Sequence, residues 1–60
     1  MNYDVNVKLM ENPKKAFELG LKLSTELKNN VDRYRFIWAT SNELQFKDVI
    51  TRQTLKIAYN

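Results

Sequence analysis

The sequence predicts an α+β fold in which a mostly antiparallel sheet carries one helix packed on one face. The spacing of apolar residues is every second position near the start, becomes helical, and then returns to every second position. Aromatic and β-branched residues concentrate in the second half of the chain, as is typical of strands. With 60 residues, the chain has room for a single domain, 1–60, in the order β-α-β-β-β.

Residues 3–9 are expected to form the first strand. Apolar residues alternate there with polar ones, which is the pattern of a strand that buries one face. The apolar positions are Tyr3, Val5, Val7 and Leu9, and the polar positions between them are Asp4, Asn6 and Lys8.

An amphipathic helix of about four turns is expected next. Asn12 and Pro13 mark its start, because asparagine caps helix N-termini and proline is tolerated at the first helical position. The apolar stripe consists of Ala16, Gly20, Leu23 and Leu27. A glycine within this stripe costs helix stability, so we expect Gly20 to approach the sheet closely. Asn29 and Asn30 are expected to end the helix, since asparagine tolerates the left-handed conformation.

The segment 33–40 is expected to be the second strand, because aromatic residues alternate there with arginine and isoleucine. Tyr34, Phe36 and Trp38 share one face, which we interpret as the core beneath the helix. On this interpretation, replacing Trp38 with alanine costs about 3–5 kcal/mol of stability. The competing interpretation is a stacking platform for nucleic-acid bases, which requires the aromatic residues to lie on the uncovered face.

Two further strands are expected after this one. Ser41 and Asn42 predict a tight turn, and the alternation of Leu44 and Phe46 with polar residues predicts the third strand. The last strand is predicted by the alternating apolar residues Leu55, Ile57 and Tyr59.

The segment 43–52 has two interpretations. The alternation that begins at Leu44 and the β-branched run Val49-Ile50-Thr51 favour a strand followed by a turn. The alternative is a short helix, because Thr40 and Glu43 match the spacing of a helix capping box.

The composition argues against most catalytic chemistry. The chain has no cysteine and no histidine, which excludes disulfides, thiolate nucleophiles and histidine-based triads, and argues against a zinc site because the preferred ligands are absent. A single glycine excludes a glycine-rich phosphate loop. We therefore expect a protein that is not an enzyme and has no cofactor or metal. We also expect it to be cytoplasmic, since the absence of cysteine is compatible with a reducing compartment. No interaction with a membrane is expected, since no apolar run is long enough to span a bilayer.

The uncovered face of the predicted sheet is strongly basic. Strand alternation places on it five basic residues and only one acidic residue, Asp4. The basic residues are Lys8, Arg33, Arg35, Lys47 and Lys56. This bias exceeds that of the whole chain, whose net charge is +3. The face therefore predicts nucleic-acid binding, with these five side chains contacting phosphates.

A second class of function competes with this one. A small protein-binding modulator, of the inhibitor or adaptor type encoded by phages and mobile elements, is expected to use a sheet edge or the apolar patch around Ile37 and Ala39. A homo-oligomer is expected in either case. The free energy gained by burying apolar surface in so short a chain roughly offsets the conformational entropy that it loses, and no disulfide compensates.

Overall fold

Helices occupy the first half of the chain and a sheet occupies the second. The computed structural model describes the backbone of residues 2–59 and the side chains of residues 7–59. The elements in chain order are α1 (Asn2–Glu11), α2 (Pro13–Leu23), α3 (Thr25–Asn29), a 3-10 turn (Val31–Arg33), β1 (Tyr34–Ala39), β2 (Glu43–Asp48) and β3 (Thr54–Ala58). The α+β class and the antiparallel sheet are confirmed, whereas the predicted order and the single helix are not.

The predicted first strand is wrong, because residues 2–11 form α1. Leu9 is buried in the core, and its neighbour Met10 also packs against the core. A strand directs consecutive side chains to opposite faces, whereas a helix allows two consecutive residues to pack against the same surface. The side chains of residues 1–6, including Asp4 and Asn6, lie outside the described residues.

The start of α2 agrees with the sequence prediction. The Asn12 side chain accepts a hydrogen bond from the Lys15 backbone N–H at 3.3 Å, and Pro13 is the first helical residue. Gly20 faces the sheet: a Cβ at this position would lie 2.6 Å from a Leu27 methyl carbon and 2.8 Å from the Phe46 ring. The predicted close approach of Gly20 to the sheet is therefore confirmed.

The predicted four-turn helix is interrupted at Ser24. This residue is extended, and its hydroxyl accepts a hydrogen bond from the Leu27 backbone N–H at 3.2 Å, so that it caps α3. The interruption leaves Leu23 half exposed and Leu27 fully buried. The helix ends at the predicted asparagines, but Asn30 has a φ of −137° and is not left-handed. Its amide instead donates to the Glu26 carbonyl at 3.0 Å.

The three strands form an antiparallel sheet in the order β1-β2-β3. The predicted turn at Ser41 and Asn42 joins β1 to β2. The strand interpretation of segment 43–52 is confirmed for β2, which ends at Asp48. The β-branched residues Val49, Ile50 and Thr51, which favoured a strand, form the turn that follows instead. Helices α1 and α2 pack against β1, and α2 also contacts β3.

A β-bulge interrupts β1 and changes which side chains enter the core. Phe36 pairs with Phe46, but Trp38 pairs with Gln45, so Ile37 is the extra residue. The predicted core position of Trp38 is wrong, because 51% of its surface is exposed. Ala39, predicted on the open face together with Ile37, is buried instead.

The core lies between the helices and one face of the sheet. Phe46 is fully buried at its centre, with the rings of Phe17 and Phe36 packed edge-on at centroid distances of 5.4 and 5.6 Å. The buried apolar residues are Leu9, Ala16, Leu27, Tyr34, Ala39, Leu44, Phe46 and Ile57.

Candidate nucleic-acid interface

The face of the sheet that points away from the helices is the candidate site, and we call it the open face. Alternation and burial along the three strands place eight side chains on it. They are Arg35 and Trp38 from β1, Glu43, Gln45 and Lys47 from β2, and Thr54, Lys56 and Ala58 from β3. Three of the eight are basic and one is acidic.

Three of the five basic residues predicted for the site share this face. Arg35 is directly opposite Lys47, and Lys56 is opposite Gln45, two residues along β2 from Lys47. All three basic side chains are exposed. Adjacent strands lie about 4.8 Å apart, so the patch is about 10 Å wide across the three strands.

An aromatic side chain lies within this basic patch. Trp38, Gln45 and Lys56 form one row across the sheet, because Gln45 pairs with the other two. The row formed by Arg35, Lys47 and Thr54 lies next to it. Trp38 is half exposed at the β1 edge of the sheet, with Lys47 on the adjacent strand and Lys56 on the strand beyond it, and the adjacent Ile37 is also 43% exposed.

The one acidic residue of the open face lies at the end away from Arg35 and Lys47. Glu43 is half-buried and pairs with Ala58. Its carboxylate accepts a hydrogen bond from the Gln45 amide at 3.1 Å. This hydrogen bond orients the Gln45 side chain toward Glu43. Arg35 and Lys47, at the other end of the face, have no acidic residue opposite them on the sheet.

Arg33 does not belong to the open face, contrary to the sequence prediction. It lies in the 3-10 turn before β1, and its Nη2 forms an ion pair with Asp48 Oδ2 at 2.5 Å. The Asp48 side chain is only 5% exposed, so the ion pair anchors Arg33 at the covered side of the sheet. The prediction failed because β1 begins one residue later than expected.

The Asp48 carboxylate has two further donors. Its Oδ1 accepts hydrogen bonds from the backbone N–H groups of Ile50 at 2.8 Å and Thr51 at 3.1 Å. Burial opposes ionisation, but the hydrogen bonds from Thr51, Ile50 and Arg33 together hold the pKa of Asp48 below its ordinary value. Asp48 therefore organises the β2–β3 turn.

Lys8 is also separated from the open face. It lies in the last turn of α1, and a shallow cleft brings it near Glu11, Asn12 and Lys15. Its predicted placement on the sheet fails together with the predicted first strand. The structure thus brings Arg35, Lys47 and Lys56 together and leaves Lys8 and Arg33 elsewhere.

The other two aromatic residues of β1 face the helices. Phe36 packs against Phe46, and Tyr34 is buried, with its hydroxyl donating to a Glu26 carboxylate oxygen at 3.2 Å. Burial, together with the Glu26 hydrogen bond, raises the pKa of Tyr34 above its ordinary value. The core interpretation is therefore confirmed for Tyr34 and Phe36 and wrong for Trp38.

A groove runs along the outer edge of β1, and we call it the β1 groove. It has a volume of about 580 Å³ and is lined by Pro13, Lys14, Phe17, Glu18, Tyr34, Arg35 and Phe36. The Val49 N–H donates to the Arg33 carbonyl at 2.7 Å. The alternation of an antiparallel ladder then directs the backbone groups of Tyr34 and Phe36 away from β2, toward this edge.

Sequence reasoning placed Trp38 in the core and gave the uncovered face only as the competing interpretation. Strict alternation over Tyr34 and Phe36 extrapolates to Trp38, and no glycine or proline marks the bulge. The available signal is the run Phe36-Ile37-Trp38-Ala39, in which four apolar residues follow one another and alternation with polar residues stops.

Among the residues that the structure describes, no cluster of acidic side chains is suited to hold a metal ion, and no helix has the length and apolarity needed to cross a membrane. No known family model matches the chain, and comparisons with curated proteins and with solved structures find no significant similarity. The open face and the β1 groove are therefore the two surfaces from which a function is proposed.

Proposed function

We propose that this is a small, non-catalytic protein of the cytoplasm that binds nucleic acid through the open face. The observation that supports the proposal is the grouping of Arg35, Lys47 and Lys56 around the exposed Trp38. Lys8 and Arg33 are not part of it, since Lys8 lies on α1 and Arg33 is bound to Asp48.

Phosphate attraction supplies most of the proposed binding free energy. The three basic side chains are exposed and can reach phosphates without breaking an ion pair in the described part of the chain. The open face carries one amide side chain and no inserted loop, so it offers little to read base edges. Three phosphate contacts predict that log K falls with log salt with a slope of roughly −2 to −3.

A pair of matched charge reversals tests the proposal. Arg35→Glu with Lys47→Glu alters the open face, and Lys15→Glu with Lys22→Glu alters the exposed side of α2. Each double variant changes the net charge of +3 by the same four units. The readout is the fluorescence anisotropy of labelled single-stranded and duplex oligonucleotides at several salt concentrations.

We expect the open-face variant to lose at least about tenfold in affinity and to show a shallower salt slope, with the α2 variant close to the wild type. Equal losses in the two variants would show that net charge, not the open face, is responsible. Absence of salt-dependent binding by the wild-type protein would also refute the proposal. Thermal melts of both variants ensure that they are folded.

The β1 groove supports a second candidate, a protein-binding modulator whose partner adds a strand to β1. The groove combines outward-directed backbone groups of Tyr34 and Phe36 with the apolar side chains of Pro13 and Phe17. Strand addition uses this combination of free main-chain groups and adjacent apolar pockets. We propose separately that the same edge pairs with a second copy of the chain in the expected homo-oligomer.

A further inference from the structure

The position of Trp38 is set by the bulge in β1. Without the extra residue Ile37, alternation from Tyr34 and Phe36 carries Trp38 into the core, as the sequence predicted. The bulge instead turns Trp38 outward and lets the small Ala39 pair with Leu44 in the core. Bulges are a recognised means of re-aiming a side chain at a functional surface.

Packing within the described chain does not account for a tryptophan at this position. About half of the Trp38 surface is exposed, and its cross-strand neighbour Gln45 is bonded to Glu43. A polar side chain satisfies the same strand position without exposing a large apolar ring to water. The exposed indole lies among Arg35, Lys47 and Lys56, which favours a ligand that is both anionic and able to stack.

Single-stranded nucleic acid has both properties. Its phosphates attract basic side chains, and its unpaired bases stack on aromatic rings, whatever their sequence. A duplex keeps its bases stacked inside, and a flat sheet face cannot enter the narrow major groove of duplex RNA. An acidic peptide or an anionic lipid surface also satisfies the positive charges, but neither supplies the unpaired bases that stack on an aromatic ring.

We infer that the ligand of the open face is single-stranded RNA or DNA, one base of which stacks on Trp38 while adjacent phosphates contact Arg35, Lys47 and Lys56. This inference rests on the proposed function and adds to it the strandedness of the ligand and the residue that selects it. Gln45, in the row between Trp38 and Lys56, is placed beneath the backbone of the bound strand.

The tryptophan itself reports on the proposed contact, because it is the only one in the chain. Titration of the protein with oligothymidine and oligouridine of about 12 nucleotides is expected to quench its fluorescence as the bases stack. The matched ligands are a duplex of the same length and a single strand of the same length whose sites are abasic. The abasic strand retains the phosphates and removes the bases.

Two variants of the full chain separate stacking from simple apolar contact. Trp38→Leu keeps a large apolar side chain without a ring and is expected to weaken single-strand binding about tenfold. Trp38→Phe keeps a ring and is expected to retain most of the affinity. Both variants should melt close to the wild-type temperature, because the side chain is half exposed. The wild-type protein should bind the abasic strand and the duplex about tenfold more weakly than the intact single strand.

The outcomes distinguish this inference from the proposed function. If Trp38→Leu binds as tightly as wild type, or if the duplex or abasic strand binds as tightly as the intact strand, the stacking inference is wrong. Salt-dependent binding that is still abolished by the Arg35 and Lys47 reversals would then leave the proposed function standing. If no nucleic acid binds in a salt-dependent manner, both are wrong.

Discussion

Asp48 joins three segments of the chain through one buried carboxylate. It ends β2, accepts backbone hydrogen bonds from the turn at Ile50 and Thr51, and pairs with Arg33 in the turn that precedes β1. Each oxygen therefore has a partner, and the buried charge is compensated. The next turn residue, Arg52, has a φ of 67°, a left-handed conformation that is unusual outside glycine, and its N–H donates to the Asp48 carbonyl at 2.7 Å.

The lowered pKa of Asp48 predicts the direction in which stability depends on pH. The folded-state pKa lies below the unfolded value of about 3.9. The ionised Asp48 carboxylate therefore contributes its full stabilisation of the fold above the unfolded-state pKa, and this contribution is lost as the pH falls through the folded-state pKa. We expect Asp48→Asn to lower the midpoint of thermal unfolding at pH 7 and to flatten the fall in stability below about pH 4.

The exposed Asp32 supplies the control for this prediction. Asp32→Asn removes a carboxylate from the same region without touching the ion pair and should leave the pH profile close to that of the wild type. The measurement is the free energy of urea unfolding between pH 2 and pH 7. Superimposable profiles for wild type and Asp48→Asn would show that the buried carboxylate contributes no pH-dependent stability.

Structural features of single residues were predicted correctly where they depend on interactions between residues close in sequence. The Asn12–Pro13 helix start depends on bonds within four residues, and it is confirmed. The role of Asp48 was not predicted, because its partner Arg33 lies 15 residues away and is reached only after the β1–β2 hairpin forms. Sequence alternation placed Arg33 in solvent, whereas the shorter strand placed it beside a buried carboxylate.

At the scale of elements, the packing of α2 on β2 depends on Gly20. A methyl group there would lie 2.8 Å from the Phe46 ring and 2.6 Å from Leu27, both fully buried. Relief of this overlap requires the Phe46 ring or the Leu27 side chain to move within a close-packed core. The glycine therefore sets the distance between the helix and the sheet.

Gly20→Ala is expected to destabilise the fold in spite of its better helix propensity. Overpacking costs typically 1–3 kcal/mol, against a gain of about 1 kcal/mol for replacing a mid-helix glycine. The expected net loss is about 1 kcal/mol, measured as a lower urea midpoint with an unchanged slope. Lys22→Ala on the exposed side of the same helix is the control and should change stability by less than about 0.5 kcal/mol. A higher midpoint for Gly20→Ala would show that Phe46 and Leu27 yield without cost.

The elements themselves were predicted unevenly, for a physical reason. β2 and β3 keep strict alternation from Leu44 to Phe46 and from Leu55 to Ile57, and both were placed correctly. β1 was placed correctly but its last residues were assigned to the wrong faces, since a bulge moves the register by one residue and exchanges the two sides. That exchange moved Trp38 from the predicted core to the candidate site.

At the scale of the whole molecule, α1 shows how tertiary packing overrides a local pattern. Alternation over residues 3–9 favours a strand, yet the segment forms a helix whose Leu9 is buried in the core. The Met10 sulfur accepts a hydrogen bond from the Ala39 N–H at 3.1 Å, on the outer edge of β1. α1 thus covers one end of this edge and leaves the end at Tyr34 and Phe36 to the β1 groove.

Self-association through the outer edge of β1 would extend the sheet and the open face together. If two β1 strands pair antiparallel about a two-fold axis perpendicular to the sheet, they form a six-stranded sheet. Both open faces then lie on the same side, and the basic patch doubles in length.

This arrangement predicts a dimer, and it predicts that a charge introduced into the β1 groove weakens that dimer. Pro13 is exposed and lines the groove at the first position of α2, where an aspartate is favoured by the helix dipole. Pro13→Asp should therefore keep the fold while placing a charge in an apolar contact. We expect the wild-type protein to sediment as a dimer and the variant to dissociate at least about tenfold more readily.

The control is Lys15→Glu, which changes the charge of the same helix turn away from the groove and should remain dimeric. A wild-type protein that stays monomeric up to the order of 100 µM would refute dimerisation through β1.

A dimer that is insensitive to Pro13→Asp would place the interface elsewhere. The outer edge of β3 is then tested with Ala58→Pro. The Tyr59 N–H donates to the Asn42 carbonyl, so the alternation of the ladder directs the N–H of Ala58 away from β2. Proline at position 58 therefore blocks pairing of another strand with the outer edge of β3 and spares the hydrogen bonds between β2 and β3.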